Sequence, residues 1–392
     1  MPNAGSGLLG ESVRTAIVHH WLVTMRGGER SVEAILELFP HAVVFTLVSS
    51  PDRLSSAFRG REIHTSFLQR LPRATRWYPY YLPLFPKATE GLDLSGFELV
   101  ISSDSATMKG VRTDPGCAHV CYCHTPMRYV WSGYDTYRRS AGLLGRLAFP
   151  RLAAWLRRWD YQAAQRVTRF VANSRNVRER IRRSYGRESA VIYPPVDTDY
   201  FRPPSPRRTV EDYFLVVSQL VAYKKVDIIV EAFNRCGWPL VVIGEGRERR
   251  RLERRARPNI RFLGFQPDPI VRQAMQSCRA LVFAGEEDFG IVMAETLACG
   301  RPVIALGRGG APEIVTDGAT GVLFEDQSVD SLLNGLRRFG VLTFDSELIR
   351  ASALKFDRGR FLAEFLQFVQ QTLESPSLAG QEKAPAALHP AG

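Results

Sequence analysis

Two glutamates, Glu287 and Glu295, stand with seven residues between them in a stretch that reads GEEDFGIVMAETLACG from Gly285 to Gly300. The apolar, strand-like run Ala280–Ala284 leads into it. A polar turn, Glu286–Gly290, then separates that run from a helical pattern. A helix that starts straight after such a turn leaves its first backbone amides without partners. Those near Phe289, Gly290 and Ile291 are placed to hold a phosphate, and Gly290 lets a ligand come close to the backbone. Glu295 falls more than one turn along, so the two acids reach different parts of one elongated ligand. A carboxylate there suits vicinal sugar hydroxyls, as in the ribose contact of dinucleotide folds. An ordinary strand–loop–helix junction with surface acids fits the same residues.

Other residue patterns invite chemistry and carry less of it. Cys117, His119, Cys121, Cys123 and His124 crowd together, but on a strand positions 119, 121 and 123 share one face while His124 points to the other. No second cysteine pair follows at zinc-knuckle spacing. Buried thiols beside a cleft histidine is the reading, with no metal. His19 and His20 end a strand, where a packed or solvent-facing histidine is at least as natural as a site residue. Asp288-Phe-Gly and Ala311-Pro-Glu imitate kinase signatures, yet no His-Arg-Asp loop precedes them. Asp197-Thr-Asp199 imitates a metal-binding acid pair but follows Tyr193-Pro-Pro-Val in a proline-rich stretch, which makes it a linker turn.

The elements that must position these residues alternate short β-branched runs with helical patterns, the signature of parallel sheets covered by helices. Strands are expected at Thr15–His19, Ala42–Val48, Leu99–Ser102, His119–Tyr122 and Arg169–Ala172. A Gly-Gly turn and a helix over Glu29–Phe39 follow the first, and Asn173 or Ser174 caps a helix after the last. Prolines then cluster between Tyr193 and Pro206, and the pattern restarts. Strands are expected at Tyr213–Ser218, Leu240–Gly244, Ile260–Gly264, Ala280–Ala284 and Pro302–Leu306, with helices at Val226–Arg235 and Ala294–Cys299. The division read is an N-terminal domain over 1–195, a linker over 196–210, a C-terminal domain over 211–355, an amphipathic closing helix over 356–374 and a disordered tail over 375–392.

A chain of 392 residues fits two domains, and its 45% hydrophobic and 23% charged composition is that of a globular protein. No apolar stretch has bilayer-spanning length, and Met1–Arg14 lacks a secretory pattern. The six cysteines show no disulfide framework, so a cytoplasmic protein is expected. The formal charge of +12 favours anionic partners. Fourteen arginines and two acids lie between Tyr137 and Glu188, interleaved with leucine and tryptophan. That pattern suits either a helix on an anionic membrane surface or a solvated face over a core. The aromatic, proline-broken segment Trp77–Pro86 reads as a packed loop or the lining of a lipid path.

Glu287-x7-Glu295, with Phe289-Gly290 inside it and Ala-Cys-Gly-Arg-Pro-Val-Ile after it, resembles the signature of the retaining GT-B glycosyltransferases of family 4. The likeness extends through Gly27-Gly28-Glu29-Arg30, Ser218–Asp227, Gly244-Glu245-Gly246, Phe262-Leu263-Gly264 and Gly309–Glu313. Cys121–Trp131 and Ser102-Ser103 through Lys109-Gly110 further resemble bacterial O-antigen and exopolysaccharide mannosyltransferases. The resemblance implies two Rossmann-like parallel-sheet domains facing a cleft, with the C-terminal helix packed back on the first. It implies a nucleotide-sugar donor, GDP-mannose by sub-family, and a glycan or polyprenyl-diphosphate-linked acceptor, with no metal or other cofactor. Lys224 or Lys225 then neutralises the donor diphosphate, Glu295 binds ribose, Glu287 the donor sugar, Gly28 admits the diphosphate and His124 lies near the reacting sugar. Gln219 departs from the pattern, for many relatives carry there an arginine that pairs with the lysine. Two rival readings are a nucleic-acid-binding protein using its arginine-rich helices, which lacks any known recognition signature, and a GT-B-fold sugar-nucleotide epimerase.

Overall fold

The computed structural model describes residues 13–140, 142–204 and 210–375. The N-terminal segment, part of the expected linker and the expected tail from 376 lie outside the described residues. The first sheet contains β1 (Thr15–His19), β2 (Val43–Thr46), β3 (Ile63–Thr65), β4 (Leu99–Asp104), β5 (Ala118–Cys123), β6 (Arg169–Ala172) and β7 (Ser189–Val191). They pair in parallel in the order β3-β2-β1-β4-β5-β6-β7. The second contains β8 (Phe214–Val217), β9 (Leu240–Ile243), β10 (Ile260–Gly264), β11 (Ala280–Phe283), β12 (Val303–Leu306) and β13 (Gly321–Phe324). Its order is β10-β9-β8-β11-β12-β13, again parallel.

Parallel strands need crossovers that cover both faces, which is why β11 (ALVF) and β12 (VIAL) are apolar and buried at every position. In each sheet the order reverses once, between β1 and β4 and between β8 and β11. Crevices for ligands open beyond the carboxyl ends of strands at such a reversal. The carboxyl ends of those strands and the segments leaving them contain His19, Gly27, Gly28, Gln219, Lys224 and Glu287. Topology alone therefore gathers the chemistry.

A buried polar network fixes the first half's side of the cleft. Asp104 accepts hydrogen bonds from the Ala106 and Met108 amides at 2.9 and 2.8 Å. Lys109 Nζ reaches Asp104 at 2.8 Å and Asp160 at 2.6 Å, all three fully buried. Trp131 Nε1 and the Tyr185 hydroxyl donate to the remaining Asp160 oxygen. A lone buried lysine is costly, and two carboxylates with further donors offset that cost. The carbonyl of Asp104 then accepts the His124 amide at 2.8 Å, which sets the start of the His124 segment.

The helix Arg358–Glu374 returns to the first sheet and buries Phe361, Phe365, Phe368 and Val369 among Ile17, Leu36, Ile101 and Tyr122. The Tyr122 ring meets Phe361 and Phe365 edge-on at 5.6 and 6.0 Å. Two crossings thus join the halves, and they run side by side. Val196 N donates to Phe356 O at 2.9 Å and Arg358 N to Val196 O at 3.0 Å. Asp197-Thr-Asp199 lies within this joint: Asp197 accepts the Tyr200 amide, and Thr198 donates to Asp357 at 2.6 Å.

The arginine-rich stretch contains the helix Leu143–Arg166. Ala153, Leu156, Asp160, Ala163 and Ala164 face inward. Its outer side carries Leu147 and Trp155, 73% and 47% exposed, with Arg151 and Arg158. Trp77–Pro86 is not a loop but successive helical turns. Leu82 packs toward the Leu143–Arg166 helix, while Trp77, Tyr80 and Leu84 stay exposed.

Truncating Phe365 in the closing helix leaves a cavity beneath Tyr122. Phe365→Ala should destabilise the protein by about 3–5 kcal/mol. Equilibrium urea unfolding checks this; an unchanged midpoint would mean that the helix is dispensable to the first half.

Candidate active site

The turn after β11 is built by close backbone approaches. A side chain on Gly285 would press on Lys224 Cα at 3.2 Å, so the turns after β8 and β11 touch. Gly310 has no room either: a Cβ would lie 2.5 Å from Phe289 O. Its amide instead donates to Glu287 O at 2.9 Å and braces the turn. Gly290 sits at φ +97°, a conformation open to glycine, and directs the chain into the helix Ile291–Ala298. The amides of Gly290, Ile291 and Val292 find no acceptor among the described residues.

A second helix end faces this one. The Gly-Gly pair is not a turn before the helix: Gly27 and Gly28 are its first residues, in Gly27–Leu38. That start is held by the Arg26 amide, which donates to Glu29 at 3.1 Å. A Cβ on Gly27 would sit 3.7 Å from the Ile291 side chain. Two helix N-termini, one from each half, therefore meet across the cleft, and both carry partial positive charge. Gly28 packs under His19 and His124, whose ring atoms lie 3.4 and 3.7 Å from where its Cβ would stand.

Charged side chains fill the space around them. Lys224 Nζ pairs with Glu287 at 2.5 Å. Arg30 reaches across from the first half to Glu295 at 3.1 Å and Asp268 at 2.7 Å. Asp288 is gripped by Arg128 and Arg180, and Arg180 also meets Glu286 at 3.2 Å. Glu313 accepts the Arg175 and Asn176 amides at 2.8 and 2.9 Å, at the start of the helix Arg175–Tyr185 that Ser174 caps. Arg26 Nη1 approaches Gln219 Oε1 at 3.5 Å.

Burial acts on the titratable groups. It pushes the Glu295 carboxyl up to about 7, against the pull of Arg30. Desolvation, and then the neighbouring His19, pushes the His124 imidazole down to about 4, so it is neutral at physiological pH. The Ser103 hydroxyl joins His124 Nε2 at 2.8 Å to His19 Nδ1 at 3.0 Å. The other His19 nitrogen, Nε2, has no hydrogen-bond partner among the described residues and lies 3.8 Å from Glu29.

The structure brings Glu287, Lys224, Gly290, Ile291, Glu295, Gly28 and His124 to one cleft. Lys225 and Phe289 serve it differently. Lys225 adopts φ +55° and precedes the helix Val226–Cys236, while Lys224 faces Glu287. Phe289 is buried against Tyr193 and Phe356 at the inter-half joint, so only its backbone belongs to the turn. Sequence reasoning missed Arg26, Arg30, Arg128, Arg180 and Asp288. Arg26, Arg30, Arg128 and Asp288 lie inside or beside the motifs given above and Arg180 in the arginine-rich stretch, and the opposite charge of the facing segments was the available signal.

Residues 25–200 match the family model described as Glycosyltransferase Family 4, and residues 197–340 match Glycosyl transferases group 1. An uncharacterized glycosyltransferase of Methanocaldococcus jannaschii is 34% identical over 31% of this chain and 36% of its own length. The O-antigen chain mannosyltransferase C of Escherichia coli is 30% identical over 33% of this chain and 38% of that one. The chain thus spans little more than a third of these two relatives. A GDP-mannose-dependent alpha-mannosyltransferase of Mycobacterium tuberculosis is 26% identical over 79% of this chain and 83% of that protein. The fold is similar to that of HepE from Anabaena, solved with UDP and glucose, with a TM-score of 0.68 and 16% identity over 91% and 99% of the two chains.

A folded-state pKa raised above the unfolded value favours the protonated folded chain. Glu295 therefore contributes most stability below pH ~4.3 and loses it as pH rises through about 7. Glu295→Gln should remove that loss, so the melting-temperature difference from the parent should grow between pH 5 and pH 8. A difference that stays flat would show that Glu295 is ionised throughout.

Proposed function

We propose that this chain, which belongs to the GT-B glycosyltransferases and carries their family 4 and group 1 domains, moves a hexose from a nucleotide sugar to a glycan acceptor with retention of configuration. The donor is GDP-mannose and the acceptor a lipid-linked or growing surface polysaccharide. One observation carries the reading: two helix N-termini, one from each half, converge beside Lys224, Glu287 and Glu295. The mannosyltransferase relatives support mannose as the sugar.

In this reading the donor diphosphate lies between the helix ends. Its negative charge grows as the bond from the anomeric carbon to the phosphate oxygen breaks and the electron pair passes to phosphate. Preorganised amides and an ammonium favour that charge without rearranging during the reaction. Lys224 and Glu287 hold one another in the chain alone. When the diphosphate takes Lys224, Glu287 is released to accept hydrogen bonds from the sugar hydroxyls. Glu295 does the same for ribose once Arg30 yields it. His124, neutral at physiological pH, offers a hydrogen bond to the sugar and contributes no positive charge of its own. The acceptor oxygen bonds to the anomeric carbon on the face the phosphate leaves, and its proton passes to a leaving-phosphate oxygen.

No helix among the described residues is long and apolar enough to cross a membrane. The outward Leu147, Arg151, Trp155 and Arg158, with Trp77 and Tyr80 on the adjoining turns, form the surface proposed to rest on an anionic leaflet. This would bring the cleft to a lipid-borne acceptor.

Lys224→Ala and Glu287→Ala should each lower transfer by about 10²–10³-fold with folding intact, measured by product formation and circular dichroism. Unchanged turnover in both would reject the assignment. A thermal-shift panel of GDP, UDP and ADP sugars identifies the donor, since the tightest binder raises the melting point most; the reading expects GDP-mannose. Flotation with liposomes at low salt should retain the protein only when acidic lipid is present, and equal recovery without it would remove the membrane contact.

A further inference from the structure

Most cations that line the cleft face an acid. Lys224 is paired with Glu287, and Arg30 with Glu295 and Asp268. Arg128 and Arg180 share Asp288, and Arg180 also holds Glu286. Arg26 differs from all of these. Its guanidinium has no carboxylate within ion-pair range among the described residues, and it points instead at the neutral amide oxygen of Gln219, 3.5 Å away on the other half. Its backbone adjoins Gly27 and Gly28, the helix end that faces Ile291. Gln219 belongs to the turn after β8 that also carries Lys224, and that turn packs on Gly285.

Resting on the nucleotide-sugar reading above, we infer that Arg26 is a donor-binding cation, reaching the diphosphate from the first half and supplying the positive charge that Gln219 does not. A nucleoside diphosphate carries roughly two to three negative charges at neutral pH. Lys224 and the helix ends leave part of that charge unmet, and a guanidinium forks onto phosphate oxygens well. Among the paired cations, recruiting one to phosphate strips a partly buried acid of its partner. Recruiting Arg26 strips none. Because Arg26 and Lys224 sit on opposite halves, the clamp is complete only while the halves are together.

The test is calorimetric titration of the full chain with GDP and UDP, each against its nucleoside, guanosine and uridine. Arg26→Ala should weaken diphosphate binding by about 10–100-fold, as expected for a lost charged hydrogen bond. Nucleoside binding should stay unchanged. Arg26→Lys, which keeps the charge, should fall between, and Arg26→Ala with Gln219→Arg should recover most of the lost affinity. Equal diphosphate affinity in Arg26→Ala and the parent overturns the inference. So does a matching loss for the nucleoside, which marks a structural role, and so does a double variant without recovery. A parent that binds neither GDP nor UDP instead overturns the nucleotide-sugar reading itself, and this inference with it.

Discussion

The closed cleft depends on where the charge of Asp288 goes. Asp288 is 8% exposed, in the turn that leads to the Gly290, Ile291 and Val292 amides, which find no acceptor among the described residues. A buried acid without partners is costly by several kcal/mol. Among the described residues its own half offers no cation that pairs with it; Arg128 and Arg180 of the other half do. Ser174 Oγ and Asn176 Nδ2 add hydrogen bonds to the Asp288 carbonyl at 2.7 and 3.3 Å. The same attraction that stabilises Asp288 therefore draws the two helix ends together. Glu313 works in parallel a short distance away, capping a helix of the first half with a carboxylate of the second.

The remaining ion pairs share a property that suits a binding cleft. Lys224–Glu287 and Arg30–Glu295 each neutralise groups that burial would otherwise penalise, and each consists of a cation, which suits phosphate, and a carboxylate, which suits hydroxyls. Under the proposed function, a ligand carrying both phosphate and sugar satisfies both members at once. A ligand carrying only one leaves a charge bare. Discrimination then follows from desolvation, in addition to shape.

Much of this was legible in the sequence, for reasons specific to each element. The strands β1, β6 and β10 lie at the residues their β-branched runs mark, and the closing helix falls where Phe361, Phe365, Phe368 and Val369 repeat at helical spacing. The strands β3 and β7 escaped because each has three residues at a sheet edge and carries little apolar pattern. The Gly-Gly pair misled because glycine disfavours helix interiors, a rule that is weak at the first turn, where the amides are free in any case. The candidate site was legible wherever both partners lay in one motif. Lys224 could not be told from Lys225 until the backbone showed Lys225 in the left-handed region. The grip of Arg128 and Arg180 on Asp288 joins residues more than a hundred positions apart, and periodicity carries no information at that range.

The paired crossings at Val196 and Asp357 also govern how the molecule divides. The chain leaves the first half, builds the whole second half, and comes home to bury the Phe365 helix. The second half is therefore an insert with both ends at one place, not a tail hung from a single tether. Swapping second halves between relatives to make chimaeras needs two junctions, one near Val196 and one near Asp357, with the Arg358–Glu374 helix kept from the parent that supplies the first half. A graft cut at the first junction alone would bring a foreign helix against Tyr122 and forfeit the packing that anchors it.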